Sequence, residues 1–109
     1  MSNEIKDQVQ HIINTIEQGF EGYLEPDEYG EIRGVMDYLQ DVLDIEYIVN
    51  SEGKYLGSRL LVAFGGPNIW INTRTKQVEG HWWNDSCTMS YRRDEMGIDD
   101  AVGELWECR

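Results

Sequence analysis

The stretch Asn68-Ile69-Trp70-Ile71-Asn72-Thr73-Arg74-Thr75-Lys76-Gln77-Val78-Glu79-Gly80-His81-Trp82-Trp83 decides the fold. Two runs of strand-forming residues alternate with polar ones across a short polar turn, so residues 68–73 and 77–83 read as a hairpin closed around Arg74-Thr75. That register sets Ile71 against Val78 and Ile69 against Gly80 on one face, with Trp70 against Glu79 on the other. A slip of one residue would exchange the two faces, so the alternation itself specifies the pairing.

Working outward, Leu60-Leu61-Val62-Ala63-Phe64 is a continuous apolar run, which predicts a central strand covered on both faces and broken by Gly65-Gly66-Pro67. Ile45 to Val49 is rich in strand formers and ends in the turn composition Asn50-Ser51-Glu52-Gly53. Cys87 to Tyr91 alternates again. On the N-terminal side the period changes to that of a helix over 3–19, where Ile5, Val9, Ile12, Ile13 and Ile16 share one face. A second helix is predicted from Pro26, with a buried stripe of Ile32, Val35, Met36, Leu39, Val42 and Leu43. A last helix over 98–107 is expected to bury Ile98, Ala101, Val102 and Leu105, with Trp106 as a further candidate. The predicted fold is α+β: two N-terminal helices, an antiparallel four- to five-stranded meander, and a C-terminal helix packed on one sheet face.

The 109 residues give area for one core and one domain, 1–109, with roughly two-thirds of the extended chain's surface removed from water. Four Trp, six Tyr and 40% apolar residues separate the chain from disordered acidic tails. The apolar runs fall well short of the ~20 residues that span a bilayer, and residues 1–20 are too polar for a signal peptide. Cys87 and Cys108 are too few for a disulfide framework or a zinc site and read as reduced thiols of a cytoplasmic protein, with a single bridge left open.

Charge is segregated as well as large. The formal net charge is −12; residues 1–46 hold 12 acids and 2 bases, residues 47–93 hold 3 acids and 6 bases, and residues 94–109 hold 6 acids and 1 base. Direct contact with nucleic acid or an anionic membrane is disfavoured, because each phosphate needs a cation. Asp27, Glu31, Asp37, Asp41 and Asp44 follow helical spacing along the predicted second helix, with Tyr38 alongside. From Asp37 to Asp44 such a helix would set three carboxylates along about 10 Å of axis, close to the phosphate spacing of a DNA strand. Asp99, Asp100 and Glu104 make a second acidic patch. A solvated acidic surface that aids solubility explains the same residues without a partner, although such surfaces usually mix signs.

Catalytic signatures are weak. His81 and Cys87 are the only pair that suggests a nucleophile and base, and no third orienting group accompanies them. Gly65-Gly66-Pro67-Asn68 lacks the Gly-Lys-Ser/Thr ending of a phosphate loop and opens a strand. Asp94-Glu95 and Asp99-Asp100 lack the alternating ligands of a calcium loop and read as helix caps. No catalytic residue, metal or cofactor is expected. Trp70, His81 and Trp83 are predicted on the second sheet face as a further candidate interface, for a ligand, a partner or a second copy in a homodimer.

A short acidic α+β chain with the carboxylate stripe Asp37/Asp41/Asp44 and no catalytic constellation resembles the counter-defence proteins of phages and mobile elements, the anti-CRISPR and anti-restriction proteins. The resemblance is one of overall character. It implies a non-enzymatic DNA mimic that acts in the host cytoplasm and blocks a basic nucleic-acid-binding protein, such as a CRISPR effector, restriction enzyme or toxin. A toxin-immunity or antitoxin-like acidic binding protein, a ligand-binding or enzymatic domain using the Trp70/His81/Trp83 face, and a phage structural protein are the other expectations.

Overall fold

The hairpin pairs as its alternation requires: Ile71 lies opposite Val78, Ile69 opposite Gly80 and Trp70 opposite Glu79. The computed structural model describes residues 4–18 and 35–108, except the side chains of residues 36 and 37. Within them the order is α1 (Glu4–Gln18), α2 (Val35–Gln40), β1 (Asp44–Val49), β2 (Tyr55–Ala63), β3 (Asn68–Asn72), β4 (Gln77–Trp82), β5 (Asp85–Ser90) and α3 (Ile98–Glu107). The five strands form one antiparallel sheet in chain order, an α+β meander.

One face of that sheet is the floor of the core. Ile45, Leu60, Ile71, Val78 and Met89 stand directly opposite one another across all five strands. Leu60, Ile71 and Val78 are fully buried, and α1 covers the β4 and β5 end with Ile5, Val9, Ile13 and Ile16. The helix can approach this closely because β4 has no side chain at Gly80: a Cβ there would sit 2.7 Å from Val9 Cγ2 and 2.8 Å from Ile5 Cδ1. At the other end α3 adds Ile98, Ala101 and Val102 to the same buried cluster.

Several expectations are corrected. Of the predicted second helix the described residues show α2, which ends at Gln40, before the predicted buried positions Val42 and Leu43; its predicted start at Pro26 and residue Ile32 lie outside the described residues. The chain leaves the helix through a turn at residues 41–43, where Asp41 N and Val42 N donate to Tyr38 O and Leu39 O, and Leu43 is exposed instead of buried. α3 packs against β2 and α2 at one end of the sheet, so it does not lie across the strands as α1 does. β2 is longer than its apolar run, because Tyr55 to Arg59 pair with β1 as well. Its second face is not covered by a described helix: Leu61 is half-buried, and Phe64 lies past the strand end, 73% exposed.

The close approach at Gly80 is a testable constraint. Gly80→Ala must push α1 off the sheet or bend β4, and an overpacked site of this kind loses about 1–3 kcal/mol. Urea unfolding of the variant measures the loss, and unchanged stability would contradict the helix seat described above.

Candidate partner-binding surface

α3 places its acids by helical period. Ile98, Ala101 and Val102 point into the core. A second stripe of Asp99, Gly103 and Trp106 faces the first strands: Gly103 leaves room for the Tyr55 ring, and Trp106 packs against Tyr47 with ring centroids 5.1 Å apart and planes tilted by 46°, while its indole N–H donates to Gly53 O at 2.9 Å. The third stripe, Asp100, Glu104 and Glu107, is exposed. It spans about 10 Å of helix axis. Together with Lys54, Tyr55, Gly103 and Cys108, these three acids line a surface hollow of about 540 Å³.

None of the three carboxylates has an ion-pair partner among the described residues. Glu104 and Glu107 also occupy the end of α3 where the helix macrodipole is negative, and no basic residue lies in that last turn. An acid there is destabilising by a few tenths of a kcal/mol or more. Arg59, the one Lys or Arg within the described strands, is used elsewhere: it reaches Glu46 at 3.1 Å and Glu79 at 3.5 Å while its guanidinium lies 4.2 Å above the Trp70 ring.

Asp99, by contrast, is structural. Its Oδ1 accepts from Tyr55 Oη at 2.7 Å and from Thr73 Oγ1 at 2.9 Å, and Thr73 Oγ1 in turn accepts from Ser58 N at 2.9 Å. This buried chain of donors pins α3 to β2 and to the β3–β4 turn. Burial, with the carboxylate of Asp99 adding to it, raises the Tyr55 phenol to about 12, and burial followed by Asp94 and Asp99 raises Tyr91 as well. Asp94 takes the capping role: its Oδ1 and Oδ2 accept from Ile98 N and Asp99 N at 2.9 and 3.0 Å, across Gly97 in the left-handed conformation.

The stripe predicted along the second helix is not a continuous helical feature. Asp27 and Glu31 lie outside the described residues, as does the Asp37 side chain. Asp41 sits exposed in the turn after α2, and Asp44 begins β1, where its Oδ1 accepts its neighbour's N–H at Ile45. The spacing is broken because the strand-forming run Ile45 to Val49 draws the chain into the sheet. Tyr38 is half-buried against the core beside Ile12, Val42 and Val62, so its ring is not free to stand in for a base. Glu107 continues the Asp100/Glu104 spacing by one more turn, and that period is the one sequence signal that marks it.

Trp70 and His81 share the second sheet face as diagonal neighbours on β3 and β4, but Trp83 does not join them there. Trp70 lies under Arg59 on the second sheet face and His81 is exposed farther along it. Trp83 leaves the strand altogether: it occupies the two-residue turn between β4 and β5, with φ 59 and 90% of its surface exposed. Left-handed backbone costs a side chain of this kind about 1–2 kcal/mol. Cys87 pairs with Gly80 and His81 with Ser86, so the thiol and imidazole point to opposite faces and cannot act as a dyad. Cys87 and Cys108 are free. Among the described residues no three His, Cys, Asp or Glu stand together as metal ligands would, and no helix is long and apolar enough to cross a membrane.

Family models, curated proteins and solved structures include no match to this chain.

The two kinds of acid on α3 separate in stability. Asp99→Ala strands the Tyr55 and Thr73 hydroxyls and is expected to cost about 2–4 kcal/mol, whereas Asp100→Ala stays within about 0.5 kcal/mol. Because the Tyr55 phenol titrates higher in the folded chain than in the unfolded one, its contribution is complete below pH 10 and lost toward pH 12. Tyr55→Phe therefore flattens the fall in melting temperature over that alkaline range.

Proposed function

We propose that this chain is a non-enzymatic inhibitor that docks an anionic helical surface on the basic nucleic-acid-binding site of a host protein, a CRISPR effector or other nuclease. The observation that carries the reading is the α3 ridge of Asp100, Glu104 and Glu107: exposed, without ion pairs among the described residues, and with two of its members at the helix end where charge of this sign is destabilising. Surface acids retained against stability fit selection for binding better than selection for folding. The carboxylates take the place of phosphates, and a net charge of −12 steers a cationic partner toward the molecule.

Asp100 and Glu104 stay in this site and Glu107 joins it. Asp99 and Tyr38 leave it, because each is committed to the fold. Exposed Asp41 and Asp44 add to the anionic exterior. The two free thiols fit action in the reducing cytoplasm of a host cell.

Charge reversal tests the reading. Wild-type protein immobilised on resin should retain a basic nucleic-acid-binding protein from host lysate at low salt, release it steeply as salt rises, and release it to added duplex DNA. Glu104→Lys with Glu107→Lys should abolish the capture while leaving the melting temperature level or a few degrees higher. Undiminished, DNA-insensitive capture by the double variant would remove the α3 ridge as the binding surface.

A further inference from the structure

Away from α3, the β4–β5 turn carries a second constellation. Trp82 and Trp83 stand beside Glu4 and Asp85 around a cavity of about 230 Å³, and the same two indoles line a neighbouring hollow of about 230 Å³ over Gly65 and Gly66. Trp82 is half-buried against the core and supplies a fixed wall. Trp83 is held out into solvent by a backbone conformation that Asn or Gly would adopt without strain. A bulky aromatic in that conformation and that degree of exposure contributes little to folding, and strain of this kind collects at ligand clamps.

The sheet itself shows what such a set of groups holds. On its second face the Arg59 guanidinium lies 4.2 Å over the Trp70 ring with the carboxylates of Glu46 and Glu79 at 3.1 and 3.5 Å. The turn again sets tryptophan beside carboxylate, with Trp83 90% exposed and Asp85 exposed next to it. Arginine is the cation that matches best, because its planar, weakly hydrated guanidinium stacks on indole while its edge donates to carboxylate.

We infer that Trp82, Trp83 and Asp85 form a recognition site for an arginine side chain of a protein partner. The inference deepens the proposed function and rests on its reading of the partner as cationic; it adds an aromatic anchor remote in sequence from the α3 ridge. Anchors of this type carry much of the energy of an interface, whereas exposed charge alone mainly speeds encounter.

The probe is the tripeptide acetyl-Gly-Arg-Gly-amide, with the neutral isostere acetyl-Gly-citrulline-Gly-amide as control, titrated into the full chain while the indole N–H resonances of the four Trp are followed. The arginine peptide should shift the Trp82 and Trp83 signals saturably at millimolar concentration, and citrulline should not. Asp85→Asn should weaken the effect about tenfold. Trp83→Asn should remove it while raising the melting temperature by up to about 5 °C, since the turn strain is relieved. Equal shifts with citrulline, shifts confined to Trp70 or Trp106, or persistence of the Trp82 shift in Trp83→Asn would each overturn the site. Loss of peptide binding while wild-type protein still captures a basic partner overturns this site alone; peptide binding by a chain that captures nothing overturns the proposed function and leaves the arginine site standing.

Discussion

Everything in this molecule is arranged around the seat of α1 on one face of a five-stranded meander. Ile5 and Val9 reach the backbone of β4 only because residue 80 is glycine, and that contact places Ile13 and Ile16 over the rest of the buried row. Burial of apolar side chains supplies most of the favourable free energy of a chain this small, so the covered face is where stability resides. The opposite face is held by a different device, a guanidinium stacked on an indole between two carboxylates, which satisfies Arg59 and shields Trp70 without a described helix above them.

Packing among the described elements divides their acids into two classes. Those within reach of the core are consumed by it: Asp99 by two hydroxyls, Asp94 by the first N–H groups of α3, Glu17 by the backbone N–H of Arg92 at 2.6 Å. Those on the outer side of α3 have no such partner among the described residues. Counting carboxylates along the chain overstates the anionic surface, since adjacent residues of one helix point about 100° apart and their neighbours decide their roles. Asp99 and Asp100 show this most clearly: one peptide bond separates a structural anchor from a surface charge.

Two surfaces follow, one carrying charge and the other carrying aromatic area. In the proposed function the α3 ridge would supply long-range attraction that salt weakens, and the tryptophans of the β4–β5 turn would supply short-range contact that salt leaves largely intact. A protein that must find a cationic partner and then hold it benefits from both kinds.

Strand alternation made the hairpin register and the burial of Val78 and Ile71 legible from the residues alone, because period two leaves only one pairing that keeps apolar side chains together. The same logic gave the limits of α1 and α3 to within a residue. Long-range competition, in contrast, was beyond local reading. Asp44 fits helical spacing with Asp41 but is taken by the strand that pairs with β2; Tyr38 fits an exposed face but is packed beside Val62; Trp83 continues the alternation of β4 but is turned outward by the closing of the hairpin. Composition and period thus determined which elements form and how the strands align, since those depend on neighbours a few residues apart. Which acid remains in water, and which tryptophan stands clear of the sheet, was decided only when segments distant in sequence met, because burial and hydrogen-bond partners are properties of the assembled fold.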